Sequence, residues 1–222
     1  MIEIKGKFFT SQYYSAKIPF FSLVNYPMSF APKASVFYKT FYYPTRVIDL
    51  RSTFELDYSK RLMKYLRNID KYAFEISRPN VIPDLLEMFQ STINAKNIPS
   101  YPPGIITENP NYYYSEIHEP SLGRLAAHMI IGDPENKIVM GYINASNYRE
   151  MPDKKSQRIS SIANKYLFHK DLKYFQKIGY SHYDMVGISE PMNQMKKEFG
   201  GKIIDTYTHT PILIHWVKKL FP

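Results

Sequence analysis

The sequence predicts one α/β domain built on a mixed sheet, and three observations carry that prediction. Residues 112–146 hold three consecutive strand-forming runs, YYYSEIH, RLAAHMII and KIVMGYINAS. The last two are joined by Gly-Asp-Pro-Glu-Asn, a turn sequence, so the runs read as an antiparallel meander. A helical apolar period, a strand and a short helix then follow within residues 160–201, which adds the α layer. At 222 residues nothing forces a division into two domains, and no internal repeat is visible.

Taken in order, residues 1–45 alternate short aromatic runs with Pro19, Pro27, Pro32 and Pro44. Proline fixes φ and removes a donor, which suits short extended pieces and turns, and the segment is read as irregular. Arg46–Leu50 predicts a strand. Ser52 followed by Glu55 has the form of a capping box, opening a helix to about Ile69 with Leu56, Leu62, Met63 and Leu66 as its stripe. A strand at Ala73–Ile76 and a helix from Pro83 to about Ala95 come next. Asn97–Asn111, with prolines at 99, 102, 103 and 110, is a candidate lid, binding loop or rigid connector. Beyond the meander, Phe168, Leu172 and Phe175 mark a helix over Ser160–Ile178 that Gly179 ends. A strand at Tyr180–Gly187, a helix at Pro191–Phe199 stopped by Gly200-Gly201, a strand at Ile203–Thr208 and a terminal segment Ile212–Leu220 complete the chain.

Composition narrows the chemistry. An apolar content of 44% against 22% charged residues excludes a largely disordered chain. Twenty tyrosines and 14 phenylalanines serve either a ring-rich core or a binding surface. A formal charge of +9 favours anionic partners: phosphates, nucleotide-linked substrates, tRNA or acidic lipid headgroups. The Lys and Arg residues are scattered, which predicts a general basic surface more than a dedicated groove. The lack of cysteine excludes disulfides, thiolate metal sites and a cysteine nucleophile. No His/Asp/Glu set has metal-ligand spacing, so no metal is expected, and neither a nucleophile elbow nor a Walker loop occurs. The amino terminus is too polar for a signal peptide and no window reaches about 18 apolar residues, from which a cytoplasmic protein without a transmembrane segment is expected.

The run ANKYLFHKDLKYFQKIGYSHYDMVGISE, followed by MNQMKKEFGG, resembles FemAB-type peptidyl and acyl transferases. In that family a helix ends in Gly-Tyr, a strand carries Tyr-Asp and a glycine, and a short helix holds Phe-Lys-x-x-Phe-Gly-Gly. The matching positions here are Gly179, Tyr180, Tyr183, Asp184 and Gly187, then Met195, Lys196, Phe199, Gly200 and Gly201, with Met195 where the family has an aromatic residue. IDLRSTFELDYSKRLMKYLRNIDKYAFEIS is also similar to the family, so the resemblance spans residues 46–209. It implies the FemAB-like branch of the GNAT fold: a twisted mixed sheet flanked by helices and splayed between Lys137–Ser146 and Tyr180–Gly187. Donor and acceptor would meet in that gap. Members with two such domains exist, whereas this chain has room for one, so peptidoglycan-bridge formation is not carried across.

The resemblance also implies site residues. GNAT enzymes cradle the coenzyme A pyrophosphate on the loop before their long helix. Arg158-Ile159-Ser160-Ser161-Ile162-Ala163 offers such a segment, with Arg158, Ser160, Ser161 and Ala163 at motif positions, unless the serines only cap the helix. Lys196 would contact the donor or the developing oxyanion, or else lie on a solvated basic face. Tyr183 would serve as general acid or as a core residue. Asp184, on the opposite strand face, would fix local backbone more than take a proton. His128 and His182, then His118 and Glu119, are candidate bases. The expected activity is transfer of an acyl group from acyl-CoA to an amine, such as an amino sugar on a nucleotide or another cell-envelope precursor. Aminoacyl-tRNA as donor and a non-catalytic binding module are the alternatives, and an oligomer is possible.

Overall fold

The computed structural model describes residues 2–5, 10–96, 111–188 and 192–220. The proline-rich stretch singled out as a lid falls, apart from Asn111, outside the described residues. The strands are β1 (Ile2–Lys5), β2 (Thr10–Tyr13), β3 (Tyr26–Ser29), β4 (Tyr38–Tyr42), β5 (Thr45–Asp49), β6 (Glu75–Ser77), β7 (Tyr112–Glu119), β8 (Gly123–Asp133), β9 (Ile138–Ser146), β10 (His182–Asp184), β11 (Lys202–Ile204) and β12 (Tyr207–Pro211). The helices are α1 (Lys60–Arg67), α2 (Leu85–Lys96), α3 (Lys154–Lys177), α4 (Met192–Glu198) and α5 (Ile212–Leu220).

A seven-stranded sheet in the order β11-β5-β10-β9-β8-β7-β6 forms the centre. The strands β7 to β9 are the expected antiparallel meander, β6 adds to it antiparallel to β7, and β10 runs parallel to β9 and antiparallel to β5. Phe168, Leu172 and Phe175 of α3 pack with Leu62, Phe199 and the strand residues Ile48, Ile130, Val139 and Tyr183. Leu85, Met88 and Phe89 of α2 cover Met129, Ile143 and Ala145 on the other face. The sheet is therefore buried on both sides, which explains the near-continuous apolar runs of β8 and β9.

Helix α3 begins six residues earlier than its apolar stripe suggests. Asp153 accepts hydrogen bonds from the backbone N–H groups of Lys155 and Ser156 at 2.7 and 3.0 Å and so caps a 24-residue helix. Its first two turns, KKSQRIS, are too polar to reveal themselves by periodicity. The predicted capping box at Ser52 is also displaced. Ser52 Oγ donates to Asp49 O, residues 54–57 make a 3₁₀ turn, Leu56 is exposed, and Ser59 caps α1 by accepting from Leu62 N at 3.1 Å.

The short extended pieces expected at the start of the chain pair in two places. β1 and β2 form a ribbon, and β3 and β4 flank β12 in a separate three-stranded sheet. The single strand expected at Ile203–Thr208 is thus two, β11 in the central sheet and β12 outside it. Gly201, just before β11, has φ +78 and lets that strand approach β5, since a Cβ there would sit 2.7 Å from Val47 O.

Candidate active site

The central sheet opens between β9 and β10. β10 pairs only with the first three residues of β9, His182 to Ile138, Tyr183 to Val139 and Asp184 to Met140, and β9 runs on through Ser146 without a strand on that side. On the other edge of β9 the register places Ile130 opposite Gly141 and Met129 opposite Ile143. Tyr142 is the extra residue of a bulge, which bends the strand where the gap begins. The splay therefore lies between the two strands named from the sequence.

Tyr183 lines this opening from the α3 side. Its ring packs against Phe168 and Phe175 at centroid distances of 5.0 and 6.1 Å. Its hydroxyl reaches across to β9, where a Cβ on Gly141 would lie 3.0 Å from Oη. Asn144 projects to the same spot, with Nδ2 at 3.6 Å from that point. Tyr183 Oη and Asn144 Oδ1 are both buried, and neither has a hydrogen-bond partner among the described residues. A buried polar atom left unmatched costs about 1–3 kcal/mol, so each of these two needs a partner beyond the described residues, such as water or a ligand. Burial, reinforced by the charges of Asp171 and Asp184, pushes the Tyr183 phenol well above its ordinary range and keeps it a hydrogen-bond donor.

Asp184, on the opposite face, ties three segments together. It accepts from Tyr14 Oη at 2.9 Å, from Val186 N at 2.7 Å and from Thr45 Oγ1. Burial raises its carboxyl to about 6, opposed by those hydrogen bonds and by Lys196. Lys196 is buried in α4, and its ammonium donates to Val186 O and, at 2.7 Å, to Gly187 O. It thereby holds the chain leaving β10, where Val186 and Gly187 have φ of +55 and +60. His182 sits at the start of β10 opposite Asp49.

His128 occupies a different environment on the α3 side of β8. Its Nδ1 lies 2.8 Å from Asp171 Oδ2 and its Nε2 2.8 Å from Asn164 Oδ1. Asp171 also accepts from Ser115 Oγ at 2.9 Å and from Arg78 Nη2 at 3.2 Å. Both ring nitrogens are thus engaged within a network that is 1% exposed at His128 and Asp171. A cavity of about 190 Å³ touches this network through Arg78, Ser115 and Asp171. His118 pairs with Glu116 at 3.3 Å, and Glu119 accepts from Ser121 and Leu122 to close the β7–β8 turn.

No family model and no curated protein matches the sequence. Solved structures do. The chain superposes on the C-terminal domain of a protein assigned as a lysylphosphatidylglycerol synthetase in Agrobacterium fabrum, with a TM-score of 0.56 at 13% identity, covering 84% of this chain and 67% of that one. L-PGS from Bacillus licheniformis gives 0.58 at 10% identity over 89% and 72%. FemX gives 0.57 at 10% identity over 80% of this chain and 63% of its own. The chain shares the fold of these structures, FemX among them.

Within this fold the residues expected to bind coenzyme A lie inside α3, not on a loop before it. Ser160 and Ala163 are buried inside α3, beyond its first turn, and Ser160 Oγ donates to Leu125 O at 3.3 Å. Arg158 is exposed on the same helix and Ser161 half-buried. Amide groups this far into a helix are committed to its own ladder, and the true N-terminus is occupied by the Asp153 carboxylate, which repels a phosphate. The GNAT splay also gains two residues that sequence reasoning passed over, Gly141 and Asn144. Glycine and asparagine inside a strand are both disfavoured by propensity, and that was the available signal.

Proposed function

We propose that the chain is an acyltransferase whose reaction takes place in the splay, moving an aminoacyl group from an ester of RNA to an amine. The acceptor nitrogen attacks the ester carbonyl carbon, the carbon–oxygen ester bond breaks, the departing oxygen takes a proton, and the nitrogen loses one to leave a neutral amide. The Tyr183 O–H donates to the carbonyl oxygen, which gains negative charge only as the transition state forms. Asn144 Oδ1 accepts an N–H of the attacking amine and orients its lone pair. The observation that carries the proposal is that Tyr183 and Asn144 both reach Gly141 while Tyr183 Oη and Asn144 Oδ1 have no partner among the described residues.

Two features favour an RNA ester over a coenzyme A thioester as donor. The α3 N-terminus is filled by Asp153. A shallow groove of about 400 Å³ beside α3 is lined by Arg78, Lys170, Lys173 and Lys177 with Tyr166 and Tyr174, a basic and aromatic combination suited to a single-stranded end. The FemAB likeness favours the amino group of a cell-envelope precursor as acceptor. The test is transfer of labelled amino acid from aminoacyl-tRNA to amine acceptors, with tRNA binding followed across salt concentrations. Transfer abolished by Tyr183→Phe supports the proposal. Thermal stabilisation by acyl-CoA without tRNA binding replaces the donor, and a response to neither leaves a binding module that has lost the chemistry.

A further inference from the structure

The positive charge of the chain is concentrated by where acids are missing. Residues 4–48 and 206–222, which contain β2, β3, β4, β12 and α5, hold eight Lys or Arg and no Asp or Glu. The remaining residues hold 21 basic and 20 acidic side chains, so eight of the nine net charges fall in these two segments, seven of them outside the central-sheet strand β5.

The same unit exposes large apolar side chains. Phe20 is 73% exposed, Val36 81%, Leu213 61% and Trp216 57%. They belong to one surface: Phe20 and Phe21 stand edge-on to Phe37 at 5.3 and 5.5 Å, Ile212 N donates to Phe37 O at 2.9 Å, and His215 of α5 lies 6.0 Å from the Phe41 ring. Along α5 the exposed positions Ile212, Leu213, Trp216 and Val217 share one helical face, while Ile214 is buried. Lys39 lies within the patch, its ammonium 5.3 Å from the centroid of Phe41.

Three kinds of occupant suit an apolar surface, and charge and shape separate them. A second copy would set the exposed Lys17, Lys33 and Lys39 against their own counterparts with no carboxylate of the unit between them. RNA would use arginines and stacking rings, but the unit's lone arginine, Arg46, is buried and donates to Gly200 O and Gly201 O, and aliphatic Leu23, Val36 and Leu213 offer a nucleic acid nothing. Anionic lipid matches both properties, because lysines meet headgroup phosphates while Trp, Phe and Leu enter the acyl boundary.

We propose that this face docks on an anionic phospholipid surface, with α5 lying in the headgroup plane. The docked unit adjoins the splay, since Tyr14 hydrogen-bonds Asp184 and Tyr43 Oη would lie 2.8 Å from a Cβ on Gly187. The inference does not depend on the transfer reaction. Trp216 is the chain's single tryptophan and reports on the site directly. The full chain is titrated with vesicles of equal parts phosphatidylglycerol and phosphatidylcholine, then with phosphatidylcholine alone. Blue-shifted emission and quenching by brominated acyl chains are expected with the anionic vesicles only, weakening as salt rises. Leu213→Glu with Val217→Glu is expected to lower partitioning more than tenfold without changing Tm. Exposed Lys17→Ala and Lys33→Ala are each expected to lower it roughly fivefold. Unshifted emission with anionic vesicles, a shift that follows protein concentration alone, or a shift with RNA and not with lipid overturns the proposal.

Discussion

His128 and Tyr183 project from neighbouring parts of the same sheet toward the same helix, yet their polar atoms are in opposite situations. Both nitrogens of His128 are matched, by Asp171 and Asn164, whereas the Tyr183 hydroxyl has no partner among the described residues. Burial of a polar group thus does not mark a site; burial with unmet hydrogen-bonding capacity does. The first arrangement ties α3 to β8, and the second leaves a hydroxyl that the proposed reaction uses.

This contrast is open to direct attack. The largest effect is expected from His128→Ala, which leaves the buried Asp171 carboxylate short of a donor beside a new void and should cost about 3 kcal/mol in urea unfolding. A loss below 1 kcal/mol would remove the structural role given to the network. Tyr183→Phe should do the reverse, slowing transfer about 100-fold while leaving stability level or raised by up to about 1 kcal/mol, because it deletes a buried group that nothing satisfies. Substantial destabilisation by this variant would instead place the hydroxyl in a structural bond.

Asp184 supplies a third expectation. Its carboxyl, ordinarily at 3.8, is lifted to about 6 in the fold, so the folded state keeps a proton that the unfolded chain releases. Its stabilising share is present below about pH 4 and is lost as pH rises through about 6, and Asp184→Asn should flatten that slope in Tm measured across pH. The smallest effect belongs to Gly141→Ala. A methyl 3.0 Å from Tyr183 Oη must push the hydroxyl aside, and about a tenfold loss of transfer with little change in unfolding would tie the opening to the reaction.

Much of the architecture was legible because it rests on local signals. Turn residues between β8 and β9, the Phe168/Leu172/Phe175 stripe and the glycines after α3 and α4 each dictate local structure. The site was legible only where a residue belonged to a motif, as Tyr183 did. Asn144 became visible once register set it across from His128, a relation between strands that periodicity does not carry. The start of α3 was missed for a related reason: the helix cap at Asp153 lies outside the apolar stripe, so a polar first turn passed for a loop. The scattered lysines looked uninformative because the signal lay in the spacing of the acids.

β12 lies between β3 and β4, so residues 207–211 are the middle strand of a sheet whose outer strands come from residues 26–29 and 38–42. Neither outer strand can complete its ladder until the last part of the chain has left the ribosome. Closing so long a separation is slow, and the central sheet, whose meander pairs neighbours, can form first. β3 and β4 are therefore made early and paired late, and their edges stay open until residues 207–211 arrive.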